Sequence, residues 1–163
     1  ELSKRGYSTY DDDEHGITSW KEKKSGKLLG GTKRVAGPSG SKLELYDWHL
    51  SKDRVLELAN ETNSKAIFIC GTASNRYDAW SLFEYLFCLI IDEDNLKQRL
   101  ARRMDNDFGK DPIDLAEILA WHKPSEKKDI EAGAVLIDGT KSVEDIVDSI
   151  IKRTAEKLEA CLR

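Results

Sequence analysis

The stretch from Ala66 to Asn75 constrains the fold more than any other part of the chain. Five apolar residues, Ala66 to Cys70, end abruptly in Gly-Thr-Ala-Ser-Asn at 71–75. This run is short and rich in β-branched and aromatic residues, so it predicts a strand buried on both faces, as in a parallel sheet. Because open α/β sheets bind ligands at the carboxyl ends of their strands, 71–75 is predicted to border a site. An ordinary strand-to-helix turn with Asn75 as helix cap explains the pattern equally well.

Three other short segments predict strands of the same sheet. They are residues 7–10, 86–91 and 134–137. Helical patterns separate them, which is typical of an α/β fold. A helix is predicted over 94–104, another begins at Pro112, and the last follows Ser142, a residue type favoured at helix N-caps. Its apolar stripe includes Val143, Ile146 and Val147.

Length and charge narrow the function classes. With 163 residues the chain is predicted to be one domain, and 26 basic against 30 acidic residues give a net charge of -4. This balance argues against binding to nucleic acid through bulk charge. The sequence has no apolar run of membrane-spanning length and no signal peptide, so no membrane partner is expected. Its three cysteines lack metal-type spacing, and a cytoplasmic location is predicted. The oligomeric state is left open.

Residues 16–45 differ from the rest of the chain. They are rich in glycine and lysine and have few apolar anchors. Such composition is typical of loops, so this segment is predicted to be a mobile insertion on the substrate side of the domain.

Two groups of side chains could bind or react. Asp11, Asp12 and Asp13 directly follow a predicted strand, where carboxylates could hold Mg²⁺ or accept a proton from a hydroxyl. A solvated acidic turn is the plainer interpretation. Trp20, Trp48 and His49 could stack on a planar substrate, or they could cover a small core.

A third group is basic. Arg99 shares a helix face with Arg102 and Arg103, and three like charges repel one another unless an anion lies among them. The planar guanidinium of arginine suits phosphate particularly well. Alternatively, these arginines form a solvated face paired with Asp92 or Glu93.

The phosphate-binding loop G-x-x-x-x-G-K-[ST] is absent. Gly26-Lys27 and Gly109-Lys110 are followed by Leu28 and Asp111, and Lys42 is followed by leucine. This absence is the main difficulty for any function that uses ATP.

Taken in order, these segments resemble the P-loop small-molecule and nucleotide kinases, the adenylate-kinase and shikimate-kinase-like group. They are most similar to its uncharacterised bacterial ATP-binding relatives. The resemblance covers nearly the whole chain and is carried by Arg5-Gly6-Tyr7, Asp11–Asp13, Trp20, Trp48-His49, Phe68–Asn75, Arg99–Arg103, Asn106–Lys110 and Gly133–Thr140. In that family a first strand, the P-loop and a first helix precede the Arg-Gly-Tyr segment. Their absence leaves three explanations open: truncation, unresolved leading residues or a natural form without the loop.

The resemblance implies a three-layer α/β/α fold with a parallel sheet, a single kinase-like domain over 1–163 and a lid-like helical segment over 94–124. The implied function is ATP-dependent phosphoryl transfer to a small-molecule or nucleotide acceptor, with ATP and Mg²⁺ as cofactors. The implied catalytic residues are Asp11, Asp13, Arg99, Arg102 and Arg103, with Asp11 and Asp13 also as metal ligands. The implied nucleotide-binding residues are Arg99, Arg103, Asp138, Gly139, Thr140 and Lys141. The implied acceptor-binding residues are Trp20, Trp48, His49, Gly71 and Asn75.

Two rival functions stay open at this point. The chain could be a binding or regulatory module that keeps a kinase-like scaffold without catalysis. It could also process nucleic-acid ends through its tryptophans and basic loop, although its net charge argues against this. A glycine-rich Gly-Lys-Ser/Thr motif upstream would favour the enzyme.

Overall fold

The structure is a computed structural model that describes residues 1–13, 15–29, 44–61, 66–104 and 107–161, with side chains as far as residue 156. The chain forms two compact units, Glu1–Phe83 and Glu84–Arg163, and each is described by itself below. The single domain inferred from chain length stays a prediction. Of the predicted mobile insertion, residues 30–43 lie outside the described residues.

The first unit combines a parallel strand pair, a hairpin and a helix. Its elements are β1 (Ser8–Asp11), β2 (Thr18–Glu22), β3 (Tyr46–Leu50), α1 (Lys52–Glu61), β4 (Ile67–Cys70) and a 3₁₀ helix (Arg76–Leu82). Strands β1 and β4 pair in parallel, with Ser8 opposite Ile67 and Asp11 opposite Cys70. Parallel pairing brings the carboxyl ends of both strands to the same edge.

The hairpin of the first unit is antiparallel and contributes to the unit's core. In its register, Thr18 lies opposite Leu50 and Trp20 opposite Trp48. The buried cluster consists of Ile17, Leu50, Val55, Leu58, Ala73 and Ala79. The core therefore joins the start of the hairpin, one face of α1 and the segment after β4.

The second unit is a parallel strand pair with three helices. Its elements are β5 (Phe87–Ile90), α2 (Glu93–Arg102), α3 (Pro112–Glu131), β6 (Val135–Asp138) and α4 (Val143–Cys161). Helix α3 contacts β5 and α4 contacts β6. The predicted N-cap at Ser142 is confirmed, since its hydroxyl accepts a hydrogen bond from the Asp145 amide at 3.1 Å. Pro112 occupies the first turn of α3, as predicted.

The predicted strands are confirmed, and they pair in parallel, but in separate two-stranded sheets. The prediction that they are buried on both faces is wrong. Cys70 is exposed, Ile67, Ile69 and Val135 are half-buried, and 45% of Leu89 is exposed. Burial on both faces requires elements packed against both faces of a sheet, and these exposures show that such cover is incomplete here. The chain is thus of mixed α/β class.

Two local expectations are also corrected. Asn75 does not cap the following helix through its side chain, and that helix is a 3₁₀ helix. Helix α2 ends at Arg102 because Arg103 takes an extended conformation, with φ -64° and ψ 132°. Within the described parts of the chain, none of the helices combines the length and apolar character needed to span a membrane.

Candidate functional site

The acidic cluster lies at the carboxyl edge of the β1–β4 pair, and the structure singles out its middle residue. The Asp12 amide donates a hydrogen bond to the Cys70 carbonyl at 3.0 Å. Only 4% of Asp12 is exposed, whereas Asp11 is exposed and Asp13 half-buried. Asp11 and Asp13 were the two aspartates predicted as catalytic, and Asp12 was named only as a member of the acidic group. The burial that distinguishes Asp12 is visible only in the structure.

Gly71 makes the close approach to Asp12 possible. It has φ +155°, and a Cβ atom there would overlap the carboxyl carbon and both oxygens of Asp12. The Thr72 amide donates a hydrogen bond to the Asp12 carboxylate. The Asp12 carbonyl accepts from the Thr18 amide at 3.3 Å and from the Thr18 hydroxyl at 2.9 Å. The residue is therefore held at both its backbone and its side chain.

Burial changes the acidity of this carboxyl. Desolvation, followed by the nearby charges of Asp13 and Asp11, raises the pKa of Asp12 from 3.8 to about 7. A carboxyl with this pKa is present in both protonation states near neutral pH. It can therefore accept or release a proton under physiological conditions.

The three aspartates also have the ligand chemistry of a divalent-cation site. One carboxylate oxygen from each of Asp11, Asp12 and Asp13 lies within 4.8 Å of the others. Mg²⁺ prefers such hard oxygen ligands and usually takes only one or two of them from the protein. The donor set fits the predicted metal, and Mg²⁺ binding stays a prediction.

The predicted acceptor-binding residues all lie in the first unit, where two pairs of them are in contact. The rings of Trp20 and Trp48 lie 5.0 Å apart, with their planes inclined at 54°. The Nδ2 atom of Asn75 lies 3.4 Å from Nε2 of His49. Burial, followed by the charge of Lys21, lowers the pKa of His49. A neutral His49 can accept this hydrogen bond at Nε2, because both atoms would be donors if it were protonated.

The loop after β4 forms hydrogen bonds with the backbone of β3 in the hairpin. The Asn75 side chain accepts from the Leu50 amide at 2.8 Å and donates to the Leu50 carbonyl at 3.1 Å. The Ser74 amide and hydroxyl both donate to the Trp48 carbonyl at 2.8 Å. Asn75 is thus a structural clamp on β3, a role that the sequence analysis did not foresee because its partner lies 25 residues away.

The second unit has a groove at the carboxyl ends of β5 and β6. Its volume is about 470 Å³. Its lining residues are Ile90, Ile91, Asp92, Lys123, Leu136, Ile137, Asp138 and Thr140. Asp138 and Thr140 were predicted to bind nucleotide. Lys123 was missed, since its position on α3 carries no motif; its ammonium donates to the Ile91 carbonyl at 3.2 Å and to Glu126 at 3.0 Å.

The loop after β6 is tightly ordered by its own hydrogen bonds. Oδ1 of Asp138 accepts from the Thr140 hydroxyl at 2.6 Å and from the Thr140 amide at 2.9 Å, and these bonds lower the pKa of Asp138. The Gly139 amide donates to the Ile90 carbonyl at 2.8 Å. The Lys141 ammonium lies 3.8 Å from Asp138. The four predicted nucleotide-binding residues of this loop therefore line or border the groove.

The three arginines are used differently. Arg99 donates to the Lys141 carbonyl at 3.4 Å, so it reaches the loop after β6. Arg103 donates to the Phe108 carbonyl at 2.6 Å, and its buried Nε has no partner among the described residues. Arg102 is exposed. Convergence of all three on an anion stays a prediction.

The alternative that these arginines pair with neighbouring acids is not seen among the described residues. Glu93 instead forms an ion pair with Lys97 at 3.4 Å. Asp92 accepts from the Asn95 amide at 2.9 Å and so caps α2. Both acids are therefore used within α2 itself.

Comparisons of the chain with protein-family models, with curated proteins and with solved structures find no match.

Proposed function

We propose that this chain contributes the acceptor site and lid of an ATP-dependent phosphotransferase with a three-layer, P-loop-kinase-like fold. The observation that carries the proposal is Asp12, a buried carboxyl held over Gly71 at the carboxyl edge of a parallel strand pair. The acceptor is a small molecule or nucleotide with a hydroxyl group. The free thiols of Cys70 and Cys88 support a cytoplasmic location as part of the same proposal.

Asp12 acts as the general base. Its carboxylate takes the proton of the acceptor hydroxyl while that oxygen bonds to the γ-phosphorus of ATP, and the bond from phosphorus to the ADP oxygen breaks. The pKa of about 7 suits this step, because a base works best when its pKa is close to the working pH. The proton rests on the Asp12 carboxyl until solvent removes it.

Asp11 and Asp13 would hold Mg²⁺, which when bound supplies positive charge to the phosphates. Their side chains are more exposed than that of Asp12, so they can bind a cation while Asp12 handles the proton. In the second unit, the exposed Arg102 and the loop-bound Arg99 are the proposed ligands of phosphate. Phosphoryl transfer relies mainly on such positioning and charge neutralisation.

The groove of the second unit is the proposed nucleotide site. Ile90, Ile91 and Ile137 offer apolar surface for an adenine ring, and the Asp138–Lys141 loop offers polar groups at its border. Backbone and side-chain polar groups that fix a mostly apolar ligand are typical of small-molecule sites.

A non-catalytic binding or regulatory module is the second candidate. The observation in its favour is that Arg99 and Arg103 both donate to backbone carbonyls. Arginines used in this way stabilise loops and do not need to bind phosphate. The sequence also lacks a Gly-Lys-Ser/Thr loop.

The test is transfer of labelled γ-phosphate from ATP-Mg²⁺ to a panel of small hydroxyl compounds. It is run on this chain and on the chain with any residues that its gene encodes upstream of Glu1. Asp12→Asn should lower the transfer rate by roughly 10²–10⁴, the usual contribution of a general base. Asp53→Asn, an exposed site on α1, is the matched control and should leave the rate unchanged.

Two results would count against the enzyme. If ATP binds but no acceptor is phosphorylated, the binding module replaces it. If transfer occurs at the same rate in Asp12→Asn, Asp12 is not the base.

A further inference from the structure

Two carboxylates line the groove of the second unit, and the protein engages them differently. Both oxygens of Asp92 are used, since Oδ1 accepts from the Asn95 backbone amide at 2.9 Å and Oδ2 from the Asn95 side-chain amide at 2.7 Å. In Asp138, Oδ1 accepts both the amide and the hydroxyl of Thr140. Its Oδ2 lies 3.8 Å from the Lys141 ammonium, which is longer than a hydrogen bond. Within the part of the chain that the structure describes, no group donates a hydrogen bond to this oxygen.

The Thr140 bonds fix both the orientation and the charge of the Asp138 carboxylate. Two donors hold Oδ1 on the side of the loop, and 53% of the Asp138 side chain is exposed, so a ligand in the groove can reach Oδ2. The same bonds lower the pKa of Asp138 below its ordinary value of 3.8. The carboxylate is therefore ionised at neutral pH, and an ionised carboxylate accepts hydrogen bonds but donates none.

The lysine of the groove is already neutralised by the protein. The Lys123 ammonium donates to the Ile91 carbonyl at 3.2 Å and to both carboxylate oxygens of Glu126 at 3.0 Å. Because Glu126 compensates its charge, Lys123 does not require an anionic ligand. The polar selection in this groove is thus expected to come from the acceptor atom on Asp138.

The remaining lining suits a flat ring. Leu136 lies within β6, yet 48% of it is exposed, and it lines the groove together with Ile90, Ile91 and Ile137. The volume of about 470 Å³ is typical of a small-molecule site, in which apolar side chains cover the ligand and a few polar groups orient it. A planar heterocycle with a hydrogen-bond donor at its edge matches this combination.

We propose that Asp138 selects the base of the bound nucleotide, with Oδ2 accepting a hydrogen bond from an amino group on the ring. This inference rests on the proposed nucleotide site and names the group that determines its base. A carbonyl oxygen at the same ring position would direct its lone pairs at the carboxylate and form no hydrogen bond, so such a base is rejected. Adenine and cytosine share the required amino group, and the experiment distinguishes these two sources.

Nucleoside binding is measured by calorimetry on this chain, without phosphate or Mg²⁺. Adenosine is compared with inosine, and cytidine with uridine, because each pair has an amino group or a carbonyl at the same ring position. The amino member of one pair should bind roughly 10- to 140-fold more tightly than its carbonyl counterpart, as expected for a hydrogen bond to a charged group. The pair that shows this preference identifies the base as a purine or a pyrimidine.

The variant Asp138→Asn separates base selection from a structural role of the loop. The Thr140 amide can only donate, so it retains the side-chain carbonyl and places the NH₂ group where Oδ2 was. This NH₂ group donates to a carbonyl, so the preference should reverse in favour of inosine or uridine. A loop that was merely loosened would weaken both members of a pair equally. Asp53→Asn, an exposed site on α1 of the first unit, is the matched control and should leave both affinities unchanged.

Several results would overturn the inference. These are equal or tighter binding of the carbonyl members by the unaltered chain, an unchanged preference in Asp138→Asn, or binding of no nucleoside at millimolar concentration. If circular dichroism shows that Asp138→Asn is unfolded, the ¹³C resonance of the Asp138 carboxyl in the unaltered chain replaces it. This resonance should shift with the amino member and not with its carbonyl counterpart, and the absence of such a shift would also overturn the inference.

Failure of this inference and failure of the proposed function are distinguishable. The nucleoside measurements involve no ATP and no transfer, so they concern the groove alone. Equal binding of adenosine and inosine, with phosphoryl transfer retained, would remove only the base selection by Asp138. A clear base preference without any transfer would instead count against the phosphotransferase.

Discussion

Replacing Gly71 with alanine tests the central contact of the first unit. The added methyl group would overlap all three carboxyl atoms of Asp12, so Asp12 or the loop must move. Overpacking of this kind usually costs about 1–3 kcal/mol. The backbone at φ +155° adds roughly 1–3 kcal/mol, because side chains other than glycine rarely adopt this conformation. The total expected loss in the free energy of unfolding is therefore roughly 2–6 kcal/mol.

The two costs can be separated with matched variants. Gly6 has φ +85° and no atom within 4 Å of its would-be Cβ, so Gly6→Ala carries the backbone cost alone, roughly 1 kcal/mol. In an Asp12→Ala background the overlap with the carboxyl group disappears, and Gly71→Ala should become cheaper by roughly 1–3 kcal/mol.

Urea unfolding followed by tryptophan fluorescence measures these differences. Trp121→Phe is included in every variant, so that the signal comes from the three tryptophans of the first unit, Trp20, Trp48 and Trp80. Additive effects of Gly71→Ala and Asp12→Ala, within about 0.5 kcal/mol, would refute the contact between them. A cost no larger than that of Gly6→Ala would refute it as well.

Three further predictions concern stability. In metal-free buffer the free energy of unfolding should fall by about 3 kcal/mol between about pH 5 and pH 7.5, because the pKa of Asp12 is about 7 in the folded chain against 3.8 ordinarily. The folded state binds the Asp12 proton more tightly than the unfolded state does, so this contribution to the free energy of unfolding is complete below pH 3.8 and is lost as the pH rises to 7. In urea titrations, Asp12→Asn should lose most of this dependence on pH. Val147→Ala should cost about 2 kcal/mol more than Val143→Ala in thermal or urea unfolding, because Val147 is 5% exposed and Val143 58%. Equal losses would contradict this difference in burial at the two positions. Ser142→Ala should lower the free energy of unfolding by about 1 kcal/mol through loss of the N-cap. Ser149→Ala, in the helix interior, is the control and should lower it less, with unfolding of both variants followed by circular dichroism.

Of the six strands in the described residues, the sequence predicted β1, β4, β5 and β6 to within a residue at each end. It missed the hairpin strands β2 and β3, and β2 lies inside the segment 16–45 that was predicted as a loop. The N-cap at Ser142 lies where residue type indicated. These features depend on neighbours within one or two turns of chain, and local sequence contains that information. The parallel pairing of the strands was also predictable, because helices or long connections separate them.

The candidate site was only partly predictable. The sequence predicted Asp11, Asp12 and Asp13 as one acidic group after a strand, and it predicted Gly71 at the end of another strand of the same sheet. It did not distinguish the buried aspartate from its neighbours, since Asp12 differs from them only in the face on which it lies. Likewise, the burial of each strand depends on what packs against the faces of its sheet, which no single run reveals.

By itself, then, the sequence determined the positions of four strands and of the main helices, the N-cap at Ser142 and the two groups of polar residues that follow the strands. The tertiary structure alone decided three points. Asp12 is the buried carboxyl because it packs against Gly71 and the Thr72 amide in the loop after β4. Asn75 clamps the Leu50 backbone and leaves the next helix uncapped by its side chain. Arg103 is committed to the Phe108 carbonyl while Arg102 stays exposed. Each depends on a contact between chain segments or on the face a residue presents, and residue type alone specifies neither.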